Sequence, residues 1–244
     1  MERSILILGA GSDIAEAIAH RFAREKYTVI LAGRRNQQMA RLSQALIHQY
    51  GATVYYFTFD AAQFHQHQPF IDNLPLLPDI VVYSAGYMCT QQEALAHWAH
   101  ASNMIKVNYS GPVSILNAFS KAFEARRSGC IVGISSVAGE RGRASNYMYG
   151  STKAAFTAYL SGLRQHLSGR GVRVITVKPG FVYSKMTRDL DLPKRLTASP
   201  EFVADKLYAA IKRKRSVVYV KPVWRLIMAV IRNLPEGIFK RMKL

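Results

Sequence analysis

The sequence predicts an α/β fold, a doubly wound seven-stranded parallel sheet with helices on both faces. Three observations carry that reading. First, seven short apolar segments, at 3–8, 28–32, 53–58, 79–83, 129–135, 172–177 and 216–220, alternate with segments of helical periodicity near 13–25, 36–50, 98–124, 147–168 and 199–214. Regular βα alternation of this kind builds a parallel sheet covered on both sides. Second, the strands include continuous apolar runs such as Ile5 to Leu8, which is what burial on both faces selects. Third, turn-forming and polar residues cluster just after the strands: the Gly9 turn, Ala85-Gly86, Ser136 and Pro179-Gly180. In such sheets ligands bind beyond the carboxyl ends of the strands.

At 244 residues the chain suits one such sheet. No Pro/Gly/Ser-rich linker, repeat or low-complexity tract divides it, so residues 1–220 read as a single domain and 221–244 as a basic amphipathic tail of that domain. Met1 is followed almost at once by the first strand, which predicts no signal peptide. No apolar stretch reaches the 18 or so residues that span a bilayer. Two cysteines, Cys89 and Cys130, are too few for a disulfide framework and fit a reducing cytoplasm. Cys130 opens an apolar strand, where it reads as a small buried hydrophobe.

Taken in order, the first strand runs into Gly9-Ala10-Gly11, a tight turn, and from Asp13 the apolar positions Ile14, Ala17, Ile18 and Phe22 recur at helical spacing. Strand, glycine turn and helix place backbone N–H groups and a helix N-terminus where a pyrophosphate can sit. The second strand ends in Gly33, followed by Arg34 and Arg35. The fifth strand ends before Ser136, and the helix after it carries Tyr149 and Lys153. Residues four apart lie one turn apart on one helix face, and an ammonium beside a phenol favours the phenolate. A serine hydroxyl from another element can hold a substrate oxygen against that tyrosine. Together these groups can pass a proton to a carbonyl while a second component supplies hydride. Tyr147 lies off the Lys153 face and reads as a pocket or packing residue.

With these motifs in hand, the chain resembles the short-chain dehydrogenase/reductase family over nearly its whole length, which implies a Rossmann fold and an NAD(P)-dependent oxidoreductase. LGAGSDIA at 8–15 resembles the family's TGxxxGxG loop, SAG at 84–86 its NAG segment, and PGFVYSKM at 179–186 the PGxVxTxM segment that closes over the nicotinamide. The resemblance implies catalytic roles for Ser136, Tyr149, Lys153 and Asn108, the last organising a water-linked proton relay. It implies cofactor binding by Gly9, Gly11, Ser12, Asp13, Ile14, Arg34, Asp60, Ala85, Gly86, Tyr149, Lys153, Pro179, Gly180 and Val182, with Asp60 on the adenine amine. No metal is assigned.

Two departures stand out. Asp13 and Ala15 replace the second and third loop glycines. Alanine is a small loss there, and Asp13 is expected to cap the helix, its carboxylate turned from the phosphates. An acid at the end of the second strand would hold the ribose hydroxyls of NAD. Here Gly33 is followed by two arginines, whose guanidinium fork suits a 2′-phosphate, so NADP(H) is expected, with NAD(H) as the alternative. In the expected reaction Tyr149 donates the proton, its pKa lowered by Lys153 and by the cationic nicotinamide of the oxidised cofactor, and Ser136 fixes the substrate oxygen.

Charge is the second signal. Lys+Arg 33 against Asp+Glu 15 gives +18, a field that implies an anionic partner. Nucleic acid is set aside, since no binding motif is present and aromatics are not interleaved with the basic clusters. The tail, KPVWRLIMAVIRNLPEGIFKRMKL, has six Lys/Arg against Glu236. On a helix it sets Lys221, Arg225 and Arg232 beside Trp224, Ile227, Met228 and Ile231. A basic amphipathic segment with Trp is the pattern of an interfacial membrane helix, the 212–215 KRKR run adding attraction to anionic lipid. Packing on the sheet or in a dimer interface is the competing reading.

SSVAGERGRASNYMYGSTKA and VIRNLPEGIFKRMKL further resemble the decaprenylphosphoryl-2-keto-pentofuranose reductase subgroup. That implies a keto-sugar on a polyprenyl phosphate or polysaccharide precursor as substrate, with Arg141 and Arg143 as candidates for the sugar phosphate, or else surface charges. The alternatives are a soluble reductase of another carbonyl, such as a 3-oxoacyl group on an acidic carrier protein, and a non-enzymatic dinucleotide sensor. A sensor has no need of a proton donor such as Tyr149. The resemblance also implies a homodimer or homotetramer built on the helices at 98–124 and 147–168. The expected location is cytoplasmic, with peripheral contact at the inner membrane face through 221–244.

Overall fold

The computed structural model describes residues 3–188 and 191–242. Seven strands, β1 (Ser4–Leu8), β2 (Thr28–Gly33), β3 (Val54–Thr58), β4 (Ile80–Tyr83), β5 (Gly129–Ile134), β6 (Val172–Lys178) and β7 (Val217–Tyr219), form one sheet in the order β3-β2-β1-β4-β5-β6-β7. Every pairing is parallel, with Leu8 opposite Ala32 on one side and Tyr83 on the other. The doubly wound seven-stranded sheet expected from the alternation is present.

Among the described residues ten α-helices accompany it: α1 (Asp13–Arg24), α2 (Asn36–Tyr50), α3 (His67–Asp72), α4 (Gln91–Ala96), α5 (Trp98–Ile105), α6 (Gly111–Arg126), α7 (Tyr147–His166), α8 (Pro200–Lys212), α9 (Val223–Asn233) and α10 (Glu236–Phe239). The period-2 alternation of strand side chains divides β1 between two cores. Ile5 and Ile7 pack in a cluster with Ile18 and Phe22 of α1 and Leu207 of α8, and Leu6 and Leu8 in one with Phe119 of α6 and Phe156 of α7. Arg21 of α1 bonds Glu25 at 2.5 Å and Asp205 of α8 at 2.8 Å, tying those helices together at the surface.

Three expectations differ. The helix expected at 98–124 is α5 and α6 joined by a π-helical turn at Lys106–Ser110. Such bulges occur where a side chain is re-aimed at functional sites, and this one carries Asn108. The short helices α3 and α4 were not expected. Helix α4 is announced by a capping box, Thr90 accepting from the Glu93 N–H at 3.2 Å while Glu93 accepts from the Thr90 N–H at 2.8 Å. The cap of α1 is Ser12, whose hydroxyl accepts from Ala15 N–H at 3.2 Å, so Asp13 is the first helical residue and not the cap.

The strand order reverses at β1 and β4, so their following loops part and leave a crevice at the carboxyl edge. At that point Gly9 has φ +92°, and a Cβ on it would lie 2.4 Å from the Ala85 backbone nitrogen. Only glycine allows both the conformation and the approach. The tail folds back on the same edge. Trp224 and Met228 of α9 are buried against Val137, with Phe181, Leu196, Ile227 and Ile231 around them.

Candidate active site

Two connected clefts open at the carboxyl edge. One is lined by Gly9, Gly11, Ser12, Gly33, Arg34, Asp60, Ala85 and Gly86, with Arg35 and Gln38 beside them. The other, a cavity of about 310 Å³, is lined by Gly11, Ser12, Asp13, Ile14, Gly86, Ser136, Tyr149, Lys153, Pro179, Gly180 and Val182, along with Met88, Phe181, Met186 and Trp224. Of the catalytic and cofactor positions expected from sequence, Asn108 alone lines neither, and of the two candidate arginines Arg143 lines the second cavity while Arg141 lines neither. A larger open groove between α1 and α8 shares only Asp13 with them.

Ser136 leaves β5 in extended conformation, and its hydroxyl accepts from Ala138 N–H at 3.1 Å. The same hydroxyl sits beside the Tyr149 phenol, where it favours the ionised form. The neighbouring Ser135 donates to Lys153 O at 3.1 Å, and Val137 N–H donates to Pro179 O at 3.0 Å. These bonds pin the loops after β5 and β6 to each other and to α7, so Ser136 and Tyr149 meet on fixed supports.

Lys153 is 4% exposed, and its ammonium donates to Ile134 O at 3.1 Å. Burial lowers its pKa from 10.5 to about 8. Burial raises the Tyr149 phenol from 10.0 to about 12, with the Ser136 hydroxyl pulling the other way. The expected lowering of the Tyr149 pKa by Lys153 is therefore not what this arrangement does. The Lys153 nitrogen lies 5.8 Å from the Tyr149 ring centre and is bonded to a carbonyl instead. The phenol therefore carries its proton in this state, although burial makes it a weaker acid.

Asn108 is fully buried behind the wall. Its carbonyl accepts from Tyr87 N–H at 2.8 Å, and its amide donates to Tyr87 O at 2.8 Å and Thr152 Oγ1 at 3.1 Å. Both amide hydrogens are committed, so the side chain braces the β4 loop against α7 one residue before Lys153. The relay role inferred by resemblance is not visible in its side-chain contacts.

Asp13 does not turn into solvent. Its carboxylate accepts from Lys185 N–H at 2.6 Å and pairs with the Lys185 ammonium at 3.2 Å, joining the glycine turn to the 179–186 segment. Asp60 accepts from Ala62 N–H at 2.9 Å and faces the first cleft. Arg34 and Arg35 are exposed at its rim.

Arg141 is not free to meet a phosphate. It donates to Ile231 O at 2.7 Å, Leu234 O at 2.6 Å and the Glu236 carboxylate at 2.7 Å, and lies 3.8 Å over the Phe239 ring. The adjacent Glu140 accepts from the Lys178 ammonium at 2.7 Å and the Tyr219 hydroxyl at 2.5 Å, and pairs with Arg232 at 3.5 Å. The loop between Ser136 and Tyr149 thus anchors the tail. Trp224, which the sequence did not single out as a pocket residue, donates from its indole to Leu196 O at 3.0 Å and fills the space beside Gly180, where a Cβ would sit 1.9 Å from its ring nitrogen. No local pattern signals this, since the partners are remote in sequence.

Comparison with known proteins identifies the family. The family model for short chain dehydrogenase matches residues 3–194. The chain is 32% identical over 243 residues to an uncharacterised oxidoreductase of Mycobacterium tuberculosis, covering 98% of this chain and 96% of that one. It is 33% identical over 243 residues to another of Streptomyces coelicolor, with the same coverage. Among solved structures, a short-chain dehydrogenase from Sphingobium yanoikuyae in complex with NADPH matches with a TM-score of 0.82 at 20% identity, covering 98% of this chain and 96% of that one. Serine dehydrogenase from Escherichia coli matches at 0.72 and 28% identity, covering 84% and 89%. With the family model spanning most of the sheet and the relatives spanning nearly the whole chain, this protein belongs to the short chain dehydrogenase family.

Proposed function

We propose that the chain is an NADP(H)-dependent carbonyl reductase, acting on a keto-sugar carried by a polyprenyl phosphate or polysaccharide precursor. The observation that carries the reductase reading is that Ser136, Tyr149 and buried Lys153 line one cavity, which shares Gly11, Ser12 and Gly86 with a cleft built around Gly9. That cleft fits a dinucleotide. Gly9 brings the first turn so close to Ala85 that a Cβ would clash, and Gly11 and Ser12, just before α1, line the cleft. Gly9, Gly11, Ser12 and Ile14 would hold the diphosphate, Asp60, Ala85 and Gly86 the adenosine, and Pro179, Gly180 and Val182 the nicotinamide. Arg34 and Arg35 stand where an acid would select NAD, and supply the fork for a 2′-phosphate. Proteins of this fold are solved with NADPH or NADP bound.

When bound, the dihydronicotinamide supplies hydride, two electrons and a proton's mass of hydrogen, to the carbonyl carbon, leaving the oxidised ring. Tyr149 gives its hydroxyl proton to the carbonyl oxygen, completing the alcohol. Ser136 hydrogen-bonds that oxygen and fixes it beside the phenol. Lys153 places positive charge behind Tyr149, and Asn108 holds the β4 loop and α7 in register.

The net charge of +18 and the tail support an anionic, lipid-linked substrate. The inner face of α9 packs on the site, while Leu226 and Val230 are 70% and 64% exposed and Ile238 of α10 is 55% exposed. Arg225, Lys240 and Arg241 border them. This is an apolar strip with cations at its edge, suited to resting on anionic lipid. Among the described residues no helix is long and apolar enough to cross a membrane. Exposed Trp98, Ile105 and Tyr109 along α5 and the π-helical turn support self-association.

The test is NADPH consumption, with NADH alongside, against a polyprenyl-phospho-2-keto-pentofuranose and a short 3-oxoacyl thioester. Turnover of the keto-sugar with NADPH is the expected result. Turnover of the thioester alone overturns the sugar assignment and favours an acidic carrier protein as the partner of the basic surface. Sedimentation with phosphatidylglycerol vesicles, lost in Leu226→Glu, tests the lipid contact.

A further inference from the structure

The strongest unexplained feature of the pocket is a cation without an anion. Arg143 lies on the cavity wall with Ser136, Tyr149 and Trp224. Its side chain is half-buried, and its Nε is shielded from solvent with no hydrogen-bond partner. Among the described residues no carboxylate pairs with it. On the same loop Glu140 pairs with Lys178 and Arg232 and accepts from Tyr219, although its Oε2 makes no hydrogen bond, and on the cavity wall Asp13 pairs with Lys185. Burial accordingly pushes the Arg143 pKa down, with no compensating charge. Three residues on, Asn146 lines the same cavity, and its side-chain carbonyl oxygen is buried with no donor.

Arg141 makes the contrast. It sits two residues away on the same loop, and its guanidinium is saturated by two carbonyls and a carboxylate. One arginine of the loop is structural and the other is left open. A part-buried guanidinium without a partner and an acceptor left unmet are both unfavourable. A ligand that brings an oxyanion and a neighbouring hydroxyl relieves both. Met88, Val137 and Phe181 add apolar walls to the same cavity.

We propose that Arg143 and Asn146 form an oxyanion subsite in the pocket, selecting carbonyl substrates that carry a phosphate or carboxylate beside a hydroxyl. Arg143 grips the oxyanion through its planar fork, and Asn146 accepts from the hydroxyl. The inference rests on the reductase reading for its kinetic test but not for its binding test.

The kinetic test compares a 2-ketopentose phosphate, its phosphodiester, a keto acid of similar size and the uncharged ketose, with NADPH saturating. The wild-type protein should prefer an anionic substrate over the uncharged one, and Arg143→Gln should reduce that preference by about 10–100-fold, the range expected for a charge-assisted bond. Arg143→Lys should recover part of it. Preference for the diester or monoester marks a phosphate ligand, and preference for the keto acid a carboxylate ligand. Equal turnover of charged and uncharged ketoses by the wild-type protein overturns the subsite and leaves the reductase standing. The binding test is calorimetry of inorganic phosphate on the NADPH-bound protein. Affinity weakened at least tenfold in Arg143→Gln supports the subsite even without turnover, and affinity unchanged by the substitution overturns it.

Discussion

Asp13 and Lys185 hold each other across the cofactor cleft. The carboxylate of one takes both the backbone N–H and the ammonium of the other, at 2.6 and 3.2 Å. Asp13 stands where the family loop has a glycine, and Lys185 belongs to the segment proposed to close over the nicotinamide. The departure from the glycine pattern therefore has a structural use, because the first loop of the sheet becomes the anchor of its last.

Removing that anchor should loosen the segment without unfolding the sheet. In Asp13→Ala, amide exchange at Lys185 and its neighbours should rise about tenfold, the loss of one charge-assisted hydrogen bond. Exchange in β1 and β4 should stay unchanged. Equal exchange at Lys185 in both proteins would show that the latch holds nothing.

Tyr149→Phe removes the proton donor and leaves the ring that lines the cavity. Carbonyl reduction should fall about 10²–10⁴-fold, with NADPH binding retained. Ser136→Ala should cost less, since Tyr149 keeps its proton without it. Retention of full activity in Tyr149→Phe would remove the reductase reading and raise that of a dinucleotide sensor.

Much of this site was legible because its logic is local. Gly9 follows a buried strand, and Tyr149 and Lys153 share a helix face. What could not be read depends on partners far away in the chain. Asp13 resembled a helix cap because Ser12 and Asp13 are both good caps, and only the fold brings Lys185 to it. The helix through 98–124 looked continuous because a π-helical turn preserves apolar spacing on either side. Asn108 is re-aimed there by bonds to Tyr87 and Thr152. Arg141 and Arg143 are indistinguishable as sequence, two basic residues flanking a glycine. Tertiary contact makes one a clamp and leaves the other open. Helix α4 was missed although its Thr90–Glu93 capping pair was on view.

The rate of reduction should depend on pH through Lys153. Tyr149, at about 12, stays protonated across the working range, while Lys153, at about 8, does not. As pH rises through about 8 the charge behind the phenol is lost. The kcat/KM for reduction, which reports groups of the free enzyme, should then fall by roughly tenfold per pH unit. A profile that stays level to pH 10 would show that the ammonium is not required.

Lys153 should also be a liability to the fold. Its folded pKa lies below its unfolded value of 10.5, at about 8. Below pH 8 the residue is charged in both states, and the folded protein bears the full cost of burying it. Between 8 and 10.5 the unfolded chain binds more protons, so stability rises with pH, and above 10.5 the cost is gone. Lys153→Met should therefore be inactive yet more stable at pH 7, by on the order of 2–3 kcal/mol. The gain should shrink toward zero by about pH 10.5. Thermal unfolding of both proteins at pH 6, 8 and 10 checks the sign, and a destabilised Met variant at pH 6 would contradict it.

Arg141 ties the catalytic loop to the tail, and the two should come apart together. Its guanidinium satisfies carbonyls at the end of α9, where no glycine or asparagine cap closes the helix, and reaches the Glu236 carboxylate and the Phe239 ring beyond. Arg141→Ala leaves those carbonyls without a protein donor and should cost about 1.5–3 kcal/mol of local stability, the range for bonds to a charged group. The tail should then become sensitive to protease within 221–242 while the sheet remains resistant. Because Trp224 forms one wall of the cavity, its release should raise KM for the carbonyl substrate more than it lowers kcat. A protease pattern identical to the wild type would show that Trp224 and Met228 hold the tail alone.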